Sequence, residues 1–168
     1  VGWDTFTRLA DGNIRYLLEL VHTSMLKHFA EQKEFDLSFI SPKDQTESAQ
    51  EVGKKNLLEL EGLTVEGARL TKLLLSLGRV FQVMAESPIG HTPEVNQFYI
   101  DSKVSDTPAD MQADAMRILD QAVMHQALVR QPGNKLADQS ETREYDYMIH
   151  PIYSAFFVFS HRRKRKFK

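Results

Sequence analysis

Apolar residues along this chain fall mostly at helical spacing. Between Asn13 and Gln32 they stand at Ile14, Leu17, Leu18, Val21, Met25 and Phe29, one face of a 3.6-period helix. Asp11-Gly12-Asn13 gives a break and a cap candidate before it, and residues 4–10 read as a short amphipathic turn. Ser41 and Pro42 carry an N-cap and first-turn signature, which predicts a second helix over residues 42–60, polar in its early turns. "EGLT" breaks that helix. Thr64 can cap a third, running to Glu86, with Val65, Ala68, Leu74, Leu77, Phe81 and Met84 among its apolar positions. Gly67 and Gly78 weaken it unless close packing needs them.

The second half changes period. Residues 87–96 are a loop of turn formers, and 97–100 a short strand. Asp106 or Thr107, before Pro108, caps a helix to Gln126, with Ala115, Ile118, Leu119, Ala122 and Val123 inward. A strand at 127–131, a polar loop and an alternating run at 143–153 form a hairpin, the last strand limited by Pro151. "SAFFVFS" reads equally as strand or helix. The sum is a mainly α fold with a small β-hairpin (α+β): a helical segment at 1–40, a winged-helix-like domain at 41–160 and a basic tail at 161–168.

Length and composition allow one core, or a small domain with a helical annex: 168 residues, 42% hydrophobic and 26% charged. No apolar run has transmembrane length, and no signal peptide opens the chain, so no membrane partner is expected. A start at Val1 with Trp3 close behind reads as a piece of a longer polypeptide. The absence of cysteine excludes disulfides and thiolate zinc sites, and fits a cytoplasmic location. The formal charge of −2 hides an asymmetry. Without the six tail cations, 15 Lys and Arg face 23 Asp and Glu, so the body sits near −8 and repels nucleic acid.

Candidate chemistry is sparse. There is no phosphate loop, no H-E-x-x-H and no G-x-S-x-G. The histidines lack metal spacing: His22 and His28 lie on different helix faces, and His150 orders the turn beside Pro151. With no nucleophile set, metal site or cofactor site of its own, the chain alone is not expected to be an enzyme. The tail residues Arg162, Arg163, Lys164, Arg165, Lys166 and Lys168 are either a solvated, disordered end or a strip for nucleic-acid phosphates. Tyr153, Phe156, Phe157 and Phe159, just before, belong to a core. The wing, Gln131 to Glu144, sets Lys135 and Arg143 against Asp138, Glu141 and Glu144, which suits a protein partner at least as well as a DNA groove. Arg15 lies in a first helical turn, where the dipole disfavours a cation. It either pairs with Asp11 or Glu19, or awaits an anion from outside the chain.

"LADGNIRYLLEL" resembles the start of the arginine-bearing lid helix in AAA+ ATPases of the replication-initiator type, related to the origin recognition complex. The matching residues are Gly12, Asn13, Arg15, Leu17 and Leu18. "PEVNQFYI" and "YDYMIHPIYSAFFVFSHRRKRK" also resemble the C-terminal parts of bacterial ATPases of this group. The resemblance implies a lid segment in 1–40 followed by a winged-helix region. It implies ATP and magnesium in a parent protein whose ATPase core lies outside this chain. Gly12, Asn13 and Arg15 would sense the nucleotide once that core is present. The resemblance also implies phage defence as one setting for such proteins in bacteria. One departure concerns residues 100–127, where a single clear helix stands in place of two. That helix carries Arg117 against Asp110, Asp114 and Asp120, so sequence-specific DNA reading is in doubt. The leading expectation is a regulatory and docking module of such an ATPase. A freestanding winged-helix regulator binding DNA as a dimer is the alternative, and a helical scaffold a third; a phosphate loop upstream of Val1 separates the first from the others.

Overall fold

A computed structural model describes residues 2–31, 39–86, 94–100, 108–133 and 145–167. The chain runs through α1 (Trp3–Ala10), α2 (Ile14–Glu31), α3 (Pro42–Leu63), α4 (Gly67–Glu86), β1 (Val95–Tyr99), α5 (Ala109–Met124), β2 (Leu128–Pro132) and β3 (Tyr145–Ile149). A 3-10 turn (Pro151–Tyr153), a one-turn helix α6 (Ser154–Phe157) and β4 (Arg165–Phe167) complete it. The mainly α fold with a small sheet is as the periodicity reads. Asn13 and Ser41 cap their helices as signalled, whereas Thr64 closes α3 and stands three residues before α4. Ser41 Oγ accepts from Asp44 N at 3.0 Å with Pro42 in the first turn, and His150 Nδ1 accepts from Ile152 N at 3.2 Å to open the 3-10 turn. Pro108 takes the position before α5 without a side-chain cap, while Asp106 and Thr107 lie outside the described residues.

The sheet order is β2-β3-β1-β4, with β2–β3 and β3–β1 antiparallel and β1–β4 parallel. The hairpin strands are in register from Leu128↔Ile149 to Pro132↔Tyr145. β4 departs from expectation. Within the basic tail, residues 165–167 form an edge strand on β1 rather than a disordered end, while residues 162–166 remain exposed. Asn96 fixes it there: its buried Nδ2 donates to the carbonyls of Ser160 and Arg162, each at 2.7 Å, and its Oδ1 accepts from Lys164 N at 2.9 Å. Glu94 Oε1 accepts from Ser160 N at 2.6 Å, and Gln97 Nε2 donates to the Lys164 carbonyl.

One core joins both ends of the chain. Phe6 and Leu9 of α1 belong to the same cluster as Leu57, Leu74, Ile149, Ile152 and Tyr153. The buried face of α2 differs from the expected one. Tyr16, Leu20, Ser24 and His28 point inward, with Leu17 and Val21 partly buried, whereas Ile14 is 66% and Leu18 61% exposed. The buried face lies part of a turn away from the apolar stripe, because Ser24 and His28 are two of its members. Ser24 is buried because its hydroxyl donates to the Leu20 carbonyl at 2.7 Å, which removes the cost of an unmade hydrogen bond. Val65, just before α4, Ala68 in its first turn and Ala115 midway along α5 are also exposed. The run "SAFFVFS" resolves as α6, stopped by Val158 in the left-handed region (φ 58). Gly78 and Gly67 serve close packing: Gly67 stands against the backbone of Glu61, and the buried Phe157 ring fills the place of a Gly78 side chain. A Cβ on Gly53 of α3 would lie 2.8 Å from the Ile152 carbonyl oxygen.

Two outcomes are expected. Gly78→Ala should destabilise the chain by about 1–3 kcal/mol, since the ring it meets is enclosed and cannot swing away; chemical denaturation measures this. Burial holds His150 down to about 4, below the ordinary 6.5. Between those values the unfolded chain binds the extra proton. Stability should therefore be complete above pH 6.5 and fall as pH drops towards 4, by roughly 3 kcal/mol once both states are protonated. Denaturation midpoints for His150→Asn, which keeps a capping acceptor but does not titrate, should show a shallower slope over that window.

Candidate functional site

α1 closes on Asp11 (φ 44) and Gly12 (φ 84), both left-handed, a reversal that glycine makes without strain. Asn13 then caps α2. Its Oδ1 accepts from the backbone N–H groups of Arg15 at 2.9 Å and Tyr16 at 3.4 Å. Its Nδ2 donates to Gln126 Oε1 at 2.6 Å, across to the end of α5. The three residues singled out from sequence thus share one tight turn.

The Arg15 side chain is 52% exposed and leans over α3. Its shortest contact is with a neutral amide: Nη2 donates to Asn56 Oδ1 at 2.7 Å. Carboxylates stand farther off, Glu19 at 3.7 Å from Nε and Glu59 at 3.9 Å from Nη2. Lys55 lies 3.3 Å from Glu19 and 3.6 Å from Glu59, so the carboxylates are shared between two cations. Such loose, solvated pairs are worth about 0–1 kcal/mol each. Asn56, 3% exposed, also donates from Nδ2 to Glu19 Oε2 at 2.7 Å and to the Val52 carbonyl at 3.0 Å, which fixes its orientation. Of the two readings of Arg15, pairing with Glu19 is present but long, and no ion pair with Asp11 occurs. Beneath the guanidinium, Tyr16 stacks edge-on to His150 at 5.3 Å and its hydroxyl meets that of Tyr153; burial raises both phenols above their ordinary range.

The second candidate surface is β4 and the segment leading to it. Lys164 stands 3.7 Å from Glu94 and Lys166 pairs with Asp146, so these two cations are partly neutralised. Arg162, Arg163 and Arg165 are exposed and have no carboxylate partner among the described residues; Lys168 lies outside them. Burial, then the charges of Arg162 and of Arg8 on α1, hold His161 below its ordinary range, which places Arg8 beside this basic face. The wing residues Lys135, Asp138, Glu141, Arg143 and Glu144 lie outside the described residues.

Neither Asn56 nor Gln126 was singled out from sequence. A polar residue within an amphipathic helix signals nothing until the facing helix is known. The charges of α5 were visible, but their use was not. Arg69 of α4 and Arg117 hold the Asp114 carboxyl far below the usual range, and Arg117 also grips Glu66 at 2.5 Å. Asp120 pairs with Arg130 at 2.7 Å. The one cation of α5 is therefore committed to the α4–α5 clasp. Above the clasp a groove of about 610 Å³, lined by Leu73, Leu77, Phe98, Met111 and Ile118, separates the two helices. Among the described residues no group of His, Cys, Asp or Glu could hold a metal ion, and no helix is long and apolar enough to cross a membrane.

No curated protein and no solved structure matches the chain. The model of a family described as ORC-CDC6-like matches residues 1–168, its whole length. The replication-initiator resemblance carried by Gly12, Asn13, Arg15, Leu17 and Leu18 is borne out at the level of the family. The chain belongs to the ORC-CDC6-like family, related to the AAA+ replication initiators.

Proposed function

We propose that this chain is the non-catalytic regulatory and docking module of a replication-initiator-like AAA+ ATPase. In this reading the ATPase core of the same polypeptide lies outside the chain and holds ATP and magnesium. Arg15 senses a nucleotide phosphate, and the C-terminal cations engage nucleic acid, with the wing as a surface for a protein partner. Phage defence, one setting the resemblance implies, is a process such a module would serve. The observation that carries the reading is the state of Arg15. A guanidinium in a first helical turn, half exposed and held at 2.7 Å by an amide rather than by a tight carboxylate pair, keeps fork geometry and charge for an incoming phosphate. The positive end of the α2 dipole favours an anion at the same place.

Arg15→Ala should change the stability of the chain by under about 1 kcal/mol, as for a surface substitution, while lowering nucleotide-dependent activity of the polypeptide that carries the core. Unchanged ATP turnover and assembly in that polypeptide would make the arginine structural. The nucleic-acid part has a separate test. Replacing Arg162, Arg163 and Arg165 with Gln should remove about 0.7–0.9 per lost phosphate contact from the slope of log K against log salt, without sequence preference. Gln at Lys164 and Lys166, which already have carboxylate partners, should remove less. Equal slopes in all variants would take these cations out of the interface.

A further inference from the structure

Two residues of the first turn of α2 reach the roots of the β2–β3 hairpin, and Arg15 lies between them. Asn13 reaches Gln126, two residues before β2 begins. Tyr16 packs its ring edge-on against His150, the residue after β3. The two roots are tied to each other, since His150 N donates to the Ala127 carbonyl at 3.0 Å.

The Asn13–Gln126 bond has one possible polarity. The Asn13 oxygen is occupied by the helix cap, so its amide nitrogen is the donor and Gln126 must present oxygen. Gln126 also occupies an unusual place. It closes α5 in the left-handed region (φ 55), with Gln126 N donating to Val123 O at 3.1 Å and Ala127 N to Ala122 O at 2.8 Å. That double bond pattern is the helix stop in which glycine is the unstrained residue. A side chain retained there carries a local backbone cost, and this one is used: it is the acceptor for the residue that caps the Arg15 helix.

We infer that the Asn13–Gln126 hydrogen bond couples the first turn of α2 to the β2–β3 hairpin, with Gln126 as the positioning residue that transmits anion binding at Arg15. The inference rests on the proposed reading of Arg15 as an anion sensor and names the route by which that sensor reaches the hairpin. An anion that draws Arg15 away from Asn56 shifts the first turn. The shift pulls on Gln126 through a 2.6 Å bond and on His150 through the Tyr16 ring. β2 begins just after the first of those points and β3 ends just before the second.

The test uses the isotope-labelled 168-residue chain titrated with inorganic triphosphate. Nuclear magnetic resonance follows the Arg15 side-chain Nε–H and the backbone amides of Leu128–Gln131 and Tyr145–Ile149. In the wild type both sets should shift with one midpoint. Gln126→Ala should keep the Arg15 response and at least halve the shifts in the hairpin, whereas Gln126→Glu, which retains an acceptor oxygen, should restore them. Gln126→Gly fits the left-handed backbone without strain and should behave as the alanine variant, which separates coupling from loss of folding. Hairpin shifts of wild-type size in both the alanine and glycine variants, or a silent hairpin beside a responding Arg15, would overturn the coupling and leave the anion reading intact. Silence at Arg15 itself would overturn the coupling within this chain, whereas the sensing reading stands or falls separately with Arg15→Ala in the polypeptide that carries the core.

Discussion

The close approach of residues 151–157 to α3 and α4 is the constraint on which the rest of the molecule depends. This wedge, Pro151 to Phe157, carries Ile152, Tyr153 and Phe157 into the helical layer, and it fits only where Gly53 and Gly78 have no side chains. Because it follows β3 directly, seating it also sets the height of the sheet against the helices. It brings His150 under Tyr16 and Tyr153 under the Arg15 turn. The candidate sensing residues near the N-terminus are thus positioned by a segment more than a hundred residues later, through packing density rather than through charge.

Charge does a different task. The body of the chain is acidic, yet its arginines are deployed in two contrasting ways. Arg69 and Arg117 are spent on carboxylates that pin α4 to α5. Arg15 rests on an amide, and Arg162, Arg163 and Arg165 have no carboxylate among the described residues. An amide orients a guanidinium without cancelling its charge, whereas a close carboxylate does both. The distribution of partners, more than the number of cations, separates arginines that clasp two helices from those whose nearest carboxylates are long or absent among the described residues.

The helices and the hairpin strands were legible in the sequence because cap, turn and period signals are local. Ser41-Pro42, Asp11-Gly12-Asn13 and the alternation before Pro151 each report on a few neighbours. The inward face of α2 was not legible. Its buried Ser24 and His28 look polar in isolation, and their burial depends on satisfied hydrogen bonds and on what packs around them. β4 was hidden for a related reason: "RKF" has no strand pattern, and its backbone is held by Glu94, Asn96 and Gln97 from far along the chain. Of the candidate site, the Gly12-Asn13-Arg15 turn was readable, but Asn56 and Gln126 acquire meaning only through the tertiary contacts that join them to it.

β4 also acts as a guard on the sheet. It covers the outer edge of β1, and the contacts that fasten it span 66 residues between Asn96 and Arg162. Without residues 160–167 in place, β1 would present a bare row of N–H and C=O groups, and the buried Asn96 amide would lose its partners on Ser160, Arg162 and Lys164. An unpaired edge of that kind is a template for a strand from another chain. The short, basic strand of residues 165–167 thus takes the place on β1 that such a strand would occupy.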